Sequence, residues 1–306
     1  MSLERVHIVM ATYNGEKFLR EQMDSLLCQT YENITIEVCD DGSTDGTLEM
    51  IKEYCEKDTR VSLHKNETNE GYVKNFLKGI RRSDAPYIML CDQDDIWFSD
   101  KVEKTLEYMK KERNSDHKPV LIYTDAINYD SESGQEMGRF HQMSHLNTKK
   151  VDTAHLFMEN KCIGCTIMVN QEMVSYLEQL PEQIRLHDWW LALIASHFGK
   201  IGYLPEPTLF YRQHSDNIVG GARYGSYVKE RLSKIESQRL LLEKTYEQGE
   251  AFLKCFRKKM SAEQIDIAER FAGMNDVNGF RKRMRMISGG YCKSGIVRNI
   301  GLFLLM

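Results

Sequence analysis

The stretch Tyr87-Ile88-Met89-Leu90-Cys91-Asp92-Gln93-Asp94-Asp95-Ile96-Trp97 passes abruptly from an apolar run to three carboxylates within four residues. A five-residue apolar run is too short for a helix, and it reads as a strand buried on both faces. Strands of that kind belong to parallel sheets, which need helical crossovers. The flanks supply them: residues 71–82 read as a helix before the strand, and Ser99 caps a charged helix running to about residue 113 after it. Further out, apolar runs at 6–10, 34–39, 61–64 and 120–123 read as strands. Phe18, Leu19, Met23, Leu26 and Leu27, then Leu48, Ile51, Tyr54 and Cys55, recur at helical spacing between them. This alternation predicts an α/β fold, a mostly parallel sheet flanked by helices. Ligands in such sheets bind beyond the carboxyl ends of the strands. Three polar clusters fall at those ends: Thr12-Tyr13-Asn14-Gly15, Asp40-Asp41-Gly42-Ser43 and Asp92–Asp95.

The second half is organised differently. Residues 124–150 read as loop, 163–169 as a strand, 171–180 and 187–198 as helices, and 208–212 as a strand. A glycine-tipped loop follows at 214–221, and from about residue 227 Val228, Leu232, Ile235, Leu242 and Tyr246 mark one helical face. The organisation expected is a catalytic domain over 1–222, with halves 1–123 and 124–222, and a helical C-terminal extension over 223–306.

Composition narrows the classes. The 306 residues are 42% apolar and 28% charged with net charge −4, too hydrophobic for a disordered chain and too acidic for a dedicated nucleic-acid binder. The start shows no signal-peptide pattern, and no apolar run approaches the ~20 residues of a membrane span. The eight cysteines form no spaced framework. A cytoplasmic protein with packed thiols is expected, Cys162-x-x-Cys165 included. Residues 277–306 carry six cations (Arg281, Lys282, Arg283, Arg285, Lys293, Arg298) among many apolar residues, without an acid. That mixture suits a segment lying on an anionic membrane, or equally a docked helix with a solvated cationic face.

Asp92, Asp94 and Asp95 repel one another unless a cation or a proton relieves them, and a hard divalent ion is the natural counterion. Period-two geometry puts Asp92 and Asp94 on one side; alone, the cluster also fits a solvated acidic turn. A carboxylate at 40–41 could accept the imide N–H of a pyrimidine base or merely tie a turn. His187-Asp188-Trp189-Trp190 opens a helix, so Asp188 is either a dipole-favoured first-turn acid or a general base. Arg212 could hold a phosphate, and His214 could ligate a metal.

The ordered set Thr12-Tyr13-Asn14, Asp40-Asp41-Gly42-Ser43, Asn69-x-Gly71-x-x-x-Asn75, Asp92-Gln93-Asp94-Asp95-x-Trp97, Gly164-Cys165-Thr166, His187-Asp188-Trp189-Trp190 and Tyr211-Arg212-Gln213-His214 resembles glycosyltransferase family 2, in its bacterial rhamnosyltransferase-like branch. The resemblance implies a Rossmann-like GT-A fold and an inverting, metal-dependent sugar transfer. The donor it implies is a nucleotide-diphospho-sugar, rhamnose among the candidates, and the acceptor a saccharide or lipid-linked glycan of the cell surface. By that resemblance Thr12, Tyr13, Asn14, Asp41, Asn75 and Asp92 hold the nucleotide. Asp94 holds Mg²⁺ or Mn²⁺ and Asp188 is the base; His214 is a second ligand candidate on its own chemistry, or a donor to the leaving diphosphate. Asp95, Trp97, Gly164, Cys165, Thr166, His187, Trp189 and Arg212 would shape the donor or acceptor pocket. A sugar nucleotidyltransferase and a sugar-nucleotide-binding protein without activity are the competing readings. The first lacks its glycine-rich phosphate loop at residues 12–15.

Overall fold

The computed structural model describes residues 3–113, 116–214 and 235–306. Its first half realises the alternation: β1 (Val6–Thr12), α1 (Glu16–Leu27), β2 (Ile34–Asp40), α2 (Thr47–Lys57), β3 (Val61–Lys65), α3 (Tyr72–Arg82) and β4 (Tyr87–Cys91). After these come β5 (Ile96–Trp97), α4 (Lys101–Glu112), β6 (Val120–Asp130), β7 (Gln135–Arg139), α5 (Phe140–Met143) and α6 (Thr153–Met158). β8 (Met168–Asn170), α7 (His187–Phe198) and β9 (Lys200–Gln213) complete the sheet region. Four C-terminal helices are described: α8 (Ile235–Phe256), α9 (Ala262–Ala272), α10 (Gly279–Gly289) and α11 (Ile296–Leu305).

Among the described residues nine strands form one sheet in the order β3-β2-β1-β4-β8-β6-β9-β5, with β7 paired to β6. Strands β3, β2, β1 and β4 run parallel, as do β6 and β9, whereas β8, β5 and β7 pair antiparallel. The sheet is therefore mixed but mostly parallel, as the sequence predicts. Alternate residues feed opposite cores, as strand pleating requires. Val9, Ile88 and Leu90 join a cluster with α3, α7 and the C-terminal helices. Ile8, Met10, Met89 and Cys91 join a second one with α1 and α4. All five residues of β4 are buried, which is why it reads as an unbroken apolar run.

The structure corrects several boundaries. Residues 124–150, expected as loop, hold the second half of β6, the hairpin strand β7 and α5. Strand 163–169 is a 3₁₀ turn, Gly164–Thr166, followed by the short β8. Residues 171–180 contain only a 3₁₀ segment, Gln171–Tyr176, and β9 is far longer than 208–212. Asp100, not Ser99, stands at the N-cap of α4. The loop at 214–221 beyond His214, together with Val228 and Leu232, lies outside the described residues. The C-terminal helices share the first core through Tyr246, Phe252, Phe271, Met286, Tyr291 and Leu302. Among the described residues no helix is long and apolar enough to cross a membrane.

Candidate active site

A cleft of about 770 Å³ opens beyond the ends of β1, β2 and β4, where the polar clusters fall. It is lined by Thr12, Tyr13, Asn14, Asp41, Asn75, Asp92, Asp94, Gly164, His187, Asp188 and His214 among others. Residues separated by up to two hundred positions in sequence thus share one surface.

The turn after β2 divides its two aspartates. Asp40 accepts from Gly42 and Ser43 backbone N–H groups at 3.1 and 2.9 Å, and from the Ser43 and Thr12 hydroxyls. It ties the turn. Asp41 faces the cleft, with Oδ1 accepting from Asn66 Nδ2 and Glu70 N–H at 2.9 Å each, and Oδ2 from Gly71 N–H at 2.8 Å. Gly71 has φ +86°, a conformation glycine adopts without strain. An ionised carboxylate oxygen has two acceptor directions, so Oδ2 retains one for a ligand donor. Asn75 is anchored by Cys39 O at 2.6 Å and by Asn66. Tyr13, half exposed, is bracketed by the Gln93 side chain, which accepts its N–H at 2.9 Å and donates to its carbonyl at 3.2 Å.

After β4 the chain alternates: Asp92 and Asp94 reach the cleft, whereas Asp95 is fully buried. Burial, with Asp94, Asp95 and Asp188 nearby, pushes the Asp92 carboxyl well above the usual range. Burial and then Asp94 push Asp95 up to about 7. Asp95 Oδ1 accepts Arg212 N–H at 3.1 Å, and Arg212 Nε donates to Asp94 O at 2.7 Å. The Arg212 guanidinium also pairs with Glu21 and lies 4.7 Å over the Phe18 ring. His214 Nε2 meets Asp94 Oδ2 at 2.7 Å.

Helix α7 presents Asp188 to the same cleft from its first turn. Burial pushes its carboxyl up to about 7, although Trp189 N–H at 2.7 Å, the Asn160 amide and Gly164 N–H all donate to it. His187 stacks on Phe76 at 4.0 Å between ring centroids, and neither of its ring nitrogens has a partner. Burial lowers its pKa to about 3, so it is neutral.

Six pocket residues expected from sequence do not line this cleft. Trp97 is buried beneath Lys101, whose ammonium lies 4.7 Å over its ring. Trp189 is buried and donates its indole N–H to Leu156 O. Thr166 closes the 3₁₀ turn through Ile163 O, at 2.7 Å. Asp95, Cys165 and Arg212 form the packed backing of the acidic loop. Conversely, sequence reading passed over Gln93 as a bracket and Asn160 as a partner of Asp188. Their roles are long-range contacts without a periodic signal. Cys162 and Cys165 are buried free thiols.

The donor set suits a divalent cation. Asp92, Asp95 and Cys165 each offer one ligand atom within 4.8 Å of the others. Burial raises the Cys165 thiol well above its usual value and keeps it protonated, so the carboxylates are the usable ligands. Asp94, expected as the ligand, stands outside this trio and is hydrogen-bonded to His214 on the cleft surface. Carboxylate oxygens as donors match Mg²⁺ or Mn²⁺.

The pattern described as Glycosyl transferase family 2 matches residues 7–175. A dTDP-rhamnosyl transferase, RfbG of Shigella flexneri, is 30% identical over 226 residues, 69% of this chain and 73% of its own length. TuaG of Bacillus subtilis, a glycosyltransferase named for teichuronic acid biosynthesis, is 26% identical over 200 residues, 64% of this chain and 75% of its own. Among solved structures, a Pyrobaculum calidifontis mannosyltransferase in complex with GDP-Man and Mn²⁺ superimposes with a TM-score of 0.56. It covers 98% of this chain and 79% of the other at 15% identity, a likeness of fold.

Proposed function

The chain belongs to glycosyltransferase family 2, and on that premise we propose that it transfers a sugar, with inversion, from a nucleoside-diphospho-sugar to a saccharide hydroxyl in cell-surface polysaccharide synthesis. The dTDP-rhamnosyl transferase and teichuronic-acid relatives support a dTDP-activated deoxyhexose such as rhamnose as donor, and a surface glycan as acceptor. The observation that carries the reading is the cleft itself. Asp92, Asp94 and Asp188 all line it, and Asp188 is close enough to Asp92 to raise its pKa.

In this reading the Asp41 Oδ2 acceptor takes the imide N–H of a thymine or uracil ring, with Tyr13 packing beside it. Asn75 and Asn66 hold Asp41 in place. Asp92 and Asp95, with Asp94 at the cleft surface beside them, would hold the divalent cation next to the diphosphate. Bound there, that cation supplies Lewis-acid charge to the departing oxygens. Arg212 acts from behind, fixing the Asp94 carbonyl and the Asp95 carboxylate so that the acidic loop keeps its shape.

Asp188 removes the proton from the acceptor hydroxyl. The freed oxygen attacks the anomeric carbon, the bond from that carbon to the diphosphate breaks, and the nucleoside diphosphate leaves on the opposite face. A base with a pKa of about 7 is matched to that task near neutral pH.

Thermal shift against dTDP-, UDP- and GDP-activated sugars with Mn²⁺ tests the donor, because a ligand that binds only the folded chain raises its melting temperature. Asp188→Asn tests the base: nucleotide binding is retained and transfer falls at least ~10²-fold. Wild-type turnover in that variant would remove Asp188 from the mechanism.

A further inference from the structure

The last two helices leave an apolar surface that the sugar-transfer reading does not use. On α10, Phe280, Met284 and Ile287 recur at i, i+4 and i+7, and all are exposed, Phe280 by 70% and Ile287 by 61%. On α11, Ile296, Val297, Ile300, Phe303 and Leu304 share one helical face, with Ile296 exposed by 79% and Leu304 by 69%. The opposite faces of both helices are docked through Met286 and Leu302. The exposed faces adjoin, since Arg283 Nε donates to Phe303 O at 3.0 Å and its guanidinium lies 5.2 Å over the Phe303 ring. Such a concentration of large apolar side chains exceeds the scattered exposure normal for a soluble surface.

Charge selects the occupant. Residues 277–306 carry six cations, of which Arg298 is neutralised by Glu159, and no acid, although the whole chain is net negative. Arg281 is exposed next to Phe280, and Lys282 and Arg283 follow it. Apolar side chains beside cations complement the interface of a bilayer that contains anionic lipid.

The helices are also fixed to the active-site rim. Glu159 accepts from Ser294 N–H at 2.6 Å and pairs with Arg298 at 3.0 Å, both side chains being nearly buried. Arg298 also donates to Ser144 O at 2.5 Å, and Asn147 N–H donates to Ser294 Oγ at 2.9 Å. Leu146, between the tied residues Ser144 and Asn147, and Asn160 and Lys161, directly after Glu159, line the cleft.

We infer that α10 and α11 form an interfacial docking surface for an anionic lipid bilayer, rigidly joined through Glu159 to the rim of the cleft. The enzyme then works at the membrane surface. This does not depend on which sugar or base is used.

The test is co-sedimentation of the full chain with phosphatidylcholine vesicles made with and without phosphatidylglycerol. Binding is expected to the anionic vesicles and to weaken in high salt. The variant Phe280→Ser/Ile287→Ser/Ile296→Ser/Ile300→Ser changes only exposed side chains, so it keeps its melting transition and nucleotide binding while vesicle partitioning drops at least ~10-fold. Arg281→Glu lowers partitioning several-fold on anionic vesicles alone. Wild-type protein left in the supernatant, or unchanged binding by the four-residue variant, overturns the proposal. So does a concentration-dependent dimer that this variant abolishes without any vesicle binding, which would assign the surface to a second copy of the chain.

Discussion

Asp188 is held by opposing influences: the N-terminus of α7 and three hydrogen-bond donors favour its charge, and burial opposes it more strongly. With a pKa of about 7, its carboxyl is half protonated near neutrality. The base role proposed for Asp188 requires the ionised form, so kcat/KM should rise about tenfold per pH unit below about 7 and level off above it. A profile flat from pH 5 to 8 would argue against Asp188 as the titrating group. The stability consequence has the opposite sign. A carboxyl whose folded value of about 7 exceeds its ordinary 3.8 costs stability only where the unfolded chain releases the proton first. The cost is absent below about 3.8, grows through the window between the two values, and is complete above about 7. Asp188→Asn removes it, so the variant should melt above wild type by a margin larger at pH 8 than at pH 4. Loss of activity with gain of stability is the signature of a strained functional carboxylate. An equal or lower melting temperature at pH 8 would mean that the carboxylate is satisfied as it stands.

At the level of elements, α7 delivers Asp188 and its far end is fixed by one close approach. A Cβ on Gly199, just past the helix, would stand 1.7 Å from the carbonyl oxygen of Pro119. The obstacle is backbone, and Lys200 N–H donates to the same carbonyl at 3.0 Å where β9 begins its parallel pairing with β6. Gly199→Ala must therefore push β6 and β9 apart at their start, and should cost about 3 kcal/mol in urea denaturation, the upper end for overpacking. An unchanged midpoint would show that the β6–β9 start yields freely. Helix α7 is legible in the sequence to the residue, as is β4, because each is buried almost throughout and bounded by sharp polar changes. The second half of β6 is not. Its Thr124, Asp125 and Asn128 are buried polar residues, satisfied by partners such as Thr208 and His141 that only the folded sheet brings near. The site divides in the same way. Asp92, Asp94 and Asp188 can be found because they follow strand ends or open a helix. The retreat of Trp97 and Arg212 behind the wall depends on packing against Lys101, Phe18 and Glu21, which no local spacing encodes.

For the molecule as a whole, the C-terminal helices raise the question of whether 277–306 is an appendage or integral to the fold. Tyr291 is fully buried, packs on Phe271 at 5.2 Å between ring centroids, and donates its hydroxyl to Ile267 O at 2.6 Å. Met286 and Leu302 enter the same cluster, which continues through Phe157 and Trp190 to the strands beneath the cleft. Burial of three such side chains stabilises by roughly 1.5–3 kcal/mol each, an upper bound because unfolded chains already bury some apolar surface. Ending the chain at Asp276 therefore removes about 5 kcal/mol and strips Glu159 of Arg298 and Ser294. At about 2 °C per kcal/mol for a chain this long, the melting temperature should fall by about 10 °C in differential scanning calorimetry. The same truncation should weaken donor binding, because Leu146, Asn160 and Lys161 lose the ties that set the cleft rim. A truncated chain that melts and binds nucleotide like the full one would make these helices a detachable appendage. If both properties fall together, the cleft and the docking surface are built on one core, and a contact made by the exposed faces of α10 and α11 is felt at the cleft rim.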